Sequence, residues 1–277
     1  MYCVHVVPVG TSLLGNYGRA HPDVVAGYGL GGWERLGFDD PRQLVICERM
    51  GELSRLLLDY VMVEGERASA ELSSLLRAVR GLGCKPEATY VYLYATNTCN
   101  SRLAMNVIAE YLRSRGFMVR TDVIRAARNE DELDEAMSEL IDKVLREAVK
   151  MMGRGYMVCS NATPGFKVES AYLTVASLLA GVECVYYMHE AFQDVVYMPT
   201  PPLEMRREYL EILAKIKEME DQKQTSINQV IAKLSKDYGK QAEGIVEELR
   251  ERKLVTIRNG EVTLKKWVRS LLELLLA

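Results

Sequence analysis

The chain has 277 residues, 48% of them hydrophobic and 26% charged, the composition of a globular protein able to bury a core. Its formal net charge of −3 excludes a chain that binds nucleic acid through overall charge. No apolar run approaches the ~18 residues of a membrane span, so no membrane partner is expected. The start, "MYCVHVVPVG", lacks a basic n-region and reads as a buried strand rather than a signal peptide. We expect an intracellular, cytoplasmic protein.

In chain order, Tyr2–Gly10 reads as a strand, and "QLVICERMGELSRLLLDYVM" and "ERASAELSSLLRAVRGLG" carry the i, i+3, i+4 spacing of amphipathic helices. Glu87–Asn97, "EATYVYLYATN", is β-branched and aromatic, hence a strand; "SRLAMNVIAEYLRSRG" is a helix ending at Gly116. "FMVRTDVI" is a strand, and "DELDEAMSELIDKVLREAVKMM" is one long helix with acids at its start. "GYMVCSN" is a strand, "ESAYLTVASLLAG" a helix, and "VECVYYMHE" and "QDVVYMP" two strands close enough to form an antiparallel edge hairpin. Strands alternating with helices predict an α/β, Rossmann-like, mostly parallel sheet, and strands apolar on nearly every residue predict cover on both faces.

"PTPP" at Pro199–Pro202 stops this pattern and predicts a boundary between a sheet domain, 1–200, and a second domain, 201–277. The second part reads as a charged linker helix, two further helices, a hairpin turned at "RNGE" and a final helix, the order of a winged helix-turn-helix. Residues 203–277 hold 15 Lys and Arg against 13 Asp and Glu, a formal +2. The expected recognition helix, "KQAEGIVEELRERK", carries Glu243, Glu247, Glu248 and Glu251, which phosphates would repel. DNA is therefore a weakly supported partner, and a structural or dimerising role is expected.

Ligands of such sheets sit beyond the C-terminal ends of the strands. Three loops emerge there. The first has Gly10, Thr11, Ser12, Leu13 and Asn16; the second has Thr96, Asn97, Asn100, Ser101 and Arg102. The third, "SNATPGFK", has Ser160, Asn161, Thr163, Pro164, Gly165, Phe166 and Lys167. None holds a carboxylate, so their shared rim suits an anionic ligand, with helix N-termini adding donors for phosphate. Either of the first two loops alone reads equally as a helix cap; in the third, Asn, Thr, a Pro-Gly turn and a lysine in series exceed what a cap requires. There is no G-x-G-x-x-G and no Walker A motif, so ordinary NAD or nucleoside triphosphate binding is not expected.

The remaining candidates carry less. Gly15–Asp40, with seven glycines, reads as a long irregular loop near the rim, in which Trp33 or Tyr28 would stack on a base or simply pack, and His21 is most simply a surface residue. Six cysteines stand outside any C-x-x-C pair, so we expect most to be free and apolar in behaviour; a disulfide would fit a hyperthermophile's cytosol. The three histidines are far apart, so no metal site or other cofactor is expected.

"VVPVGTSLLGN", "ATNTCNSRLAMNVIAEYLRSRG" and "CSNATPGFKVESAYLTVASLLAG" together resemble the CARF (CRISPR-associated Rossmann fold) proteins. More narrowly they resemble the archaeal stand-alone ring nucleases, which join that domain to a C-terminal winged helix. The resemblance covers about residues 1–200. It implies a homodimer that binds cyclic tetra-adenylate across its two-fold axis and cuts the ring, without metal, to linear di-adenylates ending in a 2′,3′-cyclic phosphate. That reaction switches off type III CRISPR signalling. The family's catalytic serine falls on Ser12 and its lysine on Lys167, with a supporting arginine at Arg102; backbone at Gly10–Leu13 and Asn161–Phe166 would line the ligand. No general base is apparent, which predicts slow turnover. A CARF transcription regulator that binds DNA without cleaving the messenger is the alternative. An effector ribonuclease is disfavoured, because no histidine follows His189 to complete an R-x-x-x-x-H motif.

Overall fold

The computed structural model describes residues 1–165, 167–189, 191, 194–201 and 203–276. They fall into two compact units, Met1–Pro202 and Leu203–Ala277. No helix among the described residues is long and apolar enough to cross a membrane.

The first unit is built on β1 (Cys3–Val9), buried at every position. Its β-branched run suits a central strand covered on both faces. Parallel partners flank it: β2 (Thr89–Thr96) on one side and β4 (Met157–Asn161) on the other. With β3 (Met118–Ile124), β5 (Cys184–His189) and β6 (Asp194–Met198), the sheet order is β3-β2-β1-β4-β5-β6. Only β6 runs antiparallel, as the hairpin expected at the sheet edge.

The β1–β2 crossover is long. It holds α1 (Ser12–Ala20), α2 (Pro22–Gly27), a 3-10 turn at Trp33–Arg35, α3 (Arg42–Glu48), α4 (Met50–Glu64) and α5 (Ala70–Gly81). The glycine-rich segment is thus a chain of short helices rather than one irregular loop. Pro22 starts α2, its fixed φ fitting the first helical position, and Gly29 and Gly32 turn the chain at φ 69° and 72°. Trp33 is 1% exposed and its Nε1 donates to the Leu14 carbonyl at 2.8 Å, so it packs in the core and is not a stacking platform. His21 lies edge-on to Tyr60, and Tyr28 donates to Glu52. The single helix expected over residues 43–62 breaks at Arg49 into α3 and α4.

Helix α6 (Cys99–Ser114) joins β2 to β3. Helix α7 (Glu130–Leu140), capped by the Asn129 side chain, runs through a π turn at Ile141–Leu145 into α8 (Arg146–Met152). Helix α9 (Lys167–Leu179) follows β4.

Four of the six cysteines depart from the expectation of free thiols. Cys3 bonds to Cys84 and Cys47 to Cys99, whereas Cys159 and Cys184 are free and buried. The partners are 81 and 52 residues apart, and only the crossover helices bring them together.

His5 is fully buried in β1, its Nδ1 3.2 Å from the Tyr186 hydroxyl. Burial pushes its imidazole down to about 3, from 6.5 in the unfolded chain. Below pH 6.5 the unfolded chain therefore binds a proton that the folded chain does not. The stability His5 allows is complete above that pH and is lost as pH falls from 6.5 toward 3. From pH 6.5 to 5 the loss is about 2 kcal/mol. Urea midpoints at neutral and mildly acid pH should show this slope in the wild type and a shallower one in His5→Gln.

The second unit comprises α10 (Arg207–Asp221), α11 (Ile227–Tyr238), α12 (Ala242–Glu251), the hairpin β7 (Val255–Arg258)–β8 (Glu261–Leu264) and α13 (Lys266–Leu275). Asn259 and Gly260 turn the hairpin with φ 53° and 76°, both positive as a type I′ turn requires. Its own core includes Ile212, Ile216, Leu234, Val246, Val262 and Val268. In α12, Glu243 and Glu251 are exposed, and Glu248 accepts from Arg252 and Tyr209. Glu247 pairs with Arg250 and Glu248 with Arg252, so Glu243 and Glu251 are the acids of this segment that stay exposed.

Candidate functional site

Strand order reverses at the β1/β4 junction, which makes the crevice beyond their C-terminal ends the topological switch point. A cleft of about 280 Å³ lies there. Gly10, Thr11 and Ser12 enter it from the end of β1; Thr163, Pro164 and Gly165 enter from the end of β4; Ser101 comes from α6. Helices α1, α6 and α9 all start just past these strand ends, so their free N–H groups gather at one end of the sheet.

The two main loops touch. A Cβ on Gly10 would stand 3.5 Å from the Gly165 nitrogen. Gly165 has φ 91°, a conformation that L side chains rarely adopt, and a Cβ there would meet the Pro8 Cβ at 3.0 Å. Gly165→Ala is expected to cost about 1–2 kcal/mol, read as a lowered thermal midpoint.

Internal bonds hold the β4 loop. Asn161, 0% exposed, donates to Ser74 Oγ at 2.7 Å and accepts from the Thr163 N–H at 3.0 Å. The Thr163 hydroxyl accepts from the Met188 N–H at 2.8 Å, and Ser170 Oγ donates to the Pro164 carbonyl at 2.8 Å. The β1 loop is fixed by Thr11 Oγ1 donating to the Glu34 carbonyl at 2.8 Å.

An adjoining cavity of about 540 Å³ is lined by Thr11, Phe38, Thr96, Asn100, Arg128 and Glu169 among others. Arg128 stacks on the Phe38 ring at 4.8 Å. Asn100, 3% exposed, accepts from Gln43 Nε2 and donates to the Trp33 carbonyl, tying α6 to the crossover.

The expected site residues therefore divide. Gly10, Thr11, Ser12, Ser101, Thr163, Pro164 and Gly165 share the cleft, and Thr96 faces the adjoining cavity. Asn97 is exposed at the end of β2, where its N–H bonds the Ile124 carbonyl. Leu13 sends its side chain into the core, which leaves only its backbone to the rim. Arg102 is exposed on α6, next to Ser101 in the chain, and its side chain lines neither cavity. Lys167 is the exposed first residue of α9, two positions beyond Gly165 and beside Val168, which lines the larger cavity. Phe166 lies outside the described residues.

The expectation of a rim without a carboxylate is overturned. Glu71, 1% exposed in the first turn of α5, lines the cleft. Its Oε2 accepts from Ser12 Oγ at 2.5 Å and its Oε1 from the Gly10 N–H at 2.9 Å. Ser12 Oγ in turn accepts the Ala70 N–H at 3.0 Å. In the sequence Glu71 is an ordinary acid at a helix start, where it complements the dipole; nothing local ties it to a serine 59 residues earlier. Among the described residues no three His, Cys, Asp or Glu side chains gather as a metal-ligand set.

The site is a small polar cleft at the switch point of an α/β, Rossmann-like sheet, with three helix N-termini and one buried carboxylate at its rim. Comparison with known families is more particular. Residues 66–201 match the model of a CRISPR-associated protein family (Cas_APE2256). The matched stretch takes in β2 to β6, so most of the Rossmann-like sheet is similar to that CRISPR-associated family. The matched stretch includes Glu71 and Lys167, and the Ser12 loop precedes it.

Among solved structures, Enterococcus italicus Csm6 bound to cyclic hexa-2′-fluoro-hexa-dAMP is similar at 10% identity and TM-score 0.40, over 92% of this chain and 55% of that one. Protein VC1899 from Vibrio cholerae is similar at 15% identity and TM-score 0.31, over 73% and 64%. The chain thus spans less than two thirds of either structure, and likenesses of this degree locate no site residue.

Proposed function

We propose that the protein is a ring nuclease that binds cyclic tetra-adenylate at a homodimer interface and cleaves it, without metal, to linear di-adenylates ending in a 2′,3′-cyclic phosphate. The observation that carries the reading is the meeting of Gly10–Ser12 with Thr163–Gly165 at the switch point of a CRISPR-associated Rossmann-type domain, with Lys167 heading the next helix. The ligand would be a two-fold ring on a two-fold dimer, so each subunit offers the same lysine to a symmetry-related phosphate.

In this reading the ribose O2′ attacks the adjacent phosphorus, the P–O5′ bond breaks, and O5′ takes a proton from water. Charge accumulates on the phosphoryl oxygens in the transition state, and the Lys167 ammonium stabilises it. The Gly10–Leu13 and Asn161–Gly165 backbones line the ligand, the N–H groups of Ser12 and Leu13 in the first turn of α1 bind phosphate, and Arg102 supports from the first turn of α6. Holding O2′, phosphorus and O5′ in line supplies much of the remaining acceleration.

The test is incubation of the purified protein with radiolabelled cyclic tetra-adenylate in EDTA. Conversion to linear di-adenylate supports the reading. Tight binding without cleavage favours the second reading, a messenger-responsive regulator. Its motivating observation is the helix–helix–hairpin–helix order of the second unit, that of a winged helix-turn-helix. The exposed Glu243 and Glu251 of α12 weigh against DNA as its partner; specific, salt-sensitive binding to promoter DNA would reverse that.

A further inference from the structure

We propose that Glu71 fixes the polarity of Ser12, so that the serine meets the ligand only as an acceptor, takes the 2′-hydroxyl proton and passes its own to Glu71. The inference rests on the ring-nuclease reading and specifies how that site works.

A serine hydroxyl has one donor hydrogen and two acceptor lone pairs. In Ser12 the hydrogen goes to Glu71 Oε2 at 2.5 Å, and one lone pair takes the Ala70 N–H at 3.0 Å. One lone pair is left, on a partly exposed side chain that lines the cleft. Non-bridging phosphate oxygens are acceptors themselves, so Ser12 so held has nothing to offer them. A ribose hydroxyl is a donor and fits.

The second oxygen of Glu71 is engaged as well, accepting the Gly10 N–H at 2.9 Å. Both oxygens are thereby aimed, and a carboxylate that is 1% exposed cannot swing away to solvent. The step balances. As O2′ bonds to phosphorus, its proton moves to Ser12 Oγ, the original Ser12 proton moves to Glu71 Oε2, and O5′ leaves and is protonated by water. Glu71 returns its proton to solvent after product release. Glu71 never touches the ligand and is a positioning residue.

Glu71→Gln isolates this role. The glutamine carbonyl can still accept the Gly10 N–H, while its amide donates to Ser12 Oγ and turns the serine hydrogen outward. The loop keeps its bonds and the serine changes from acceptor to donor. Wild type, Glu71→Gln, Glu71→Asp, Ser12→Ala and the Ser12→Ala/Glu71→Gln double variant are compared in single-turnover cleavage of cyclic tetra-adenylate. Binding is measured separately with the all-2′-fluoro ring, which has no attacking hydroxyl.

Glu71→Gln is expected to slow cleavage about 100-fold, with affinity for the 2′-fluoro ring retained. Ser12→Ala should match it, and the double variant should be no slower than the slower single one, as for residues that act as a unit. Glu71→Asp, which keeps a carboxylate, should recover part of the rate; it carries the comparison if the glutamine variant does not fold. Wild-type cleavage with an unimpaired Glu71→Gln, or single effects that multiply in the double variant, overturns this inference alone. Absence of cleavage by the wild type overturns the ring-nuclease reading, and the inference with it.

Discussion

Lys167→Ala is expected to slow cleavage of cyclic tetra-adenylate by about 10²- to 10³-fold, the usual cost of removing one preorganised group that stabilises transition-state charge. The fold should not suffer. Lys167 is exposed and is the first residue of α9, so no core contact goes with it. A cation at a helix N-terminus opposes the macrodipole, and its removal should leave the thermal midpoint level or slightly raised. Lys167→Arg keeps the charge but not the compact ammonium, and should retain part of the rate. The measurements are single-turnover rates and thermal midpoints of the three proteins. A Lys167→Ala variant as fast as wild type would remove the lysine from the mechanism.

The disulfides carry the second large effect. Loops of 81 and 52 residues closed by Cys3–Cys84 and Cys47–Cys99 restrict the unfolded chain, and each bond is expected to stabilise by about 4 kcal/mol. The paired variants Cys3→Ala/Cys84→Ala and Cys47→Ala/Cys99→Ala should each unfold at clearly lower urea, and excess reductant should lower the wild-type midpoint further. The second pair should matter at the cleft as well as for stability. Cys99 opens α6, immediately before Asn100 and Ser101, and is tied to α3 through Cys47. Alkylation of the denatured, unreduced chain should modify Cys159 and Cys184 and no other cysteine; six modified cysteines would refute both bonds.

Much of the sheet unit is legible in the sequence because its determinants are local. "CVHVVPV" and "TYVYLYAT" are too apolar and β-branched to be anything but covered strands, and they are β1 and β2. The short spacing of "VECVYYMHE" and "QDVVYMP" dictates the β5–β6 hairpin, and Asn259-Gly260 dictates the β7–β8 turn. The polar, glycine-bearing loops after β1 and β4 announce a rim, since chain order places both at C-terminal strand ends. The glycine-rich crossover misleads because seven glycines suggest loop, whereas Pro22 and buried Leu30 and Trp33 organise short helices between the glycine turns.

Chain order and local pattern alone thus determined the strands, the helices outside the glycine-rich crossover and the break at Arg49, the parallel sheet and the lysine at a strand-to-helix junction, because each depends on residues a few positions apart. Tertiary structure alone decided the partners of Ser12 and the pairing of four cysteines. Those contacts span 59, 81 and 52 residues. Each side chain is unremarkable where it stands in the sequence: an acid at a helix start, cysteines among apolar neighbours. Their chemistry arises from the long crossover that folds α5 back beside the end of β1, where a buried carboxylate can only satisfy its oxygens on the Gly10 N–H and the Ser12 hydroxyl.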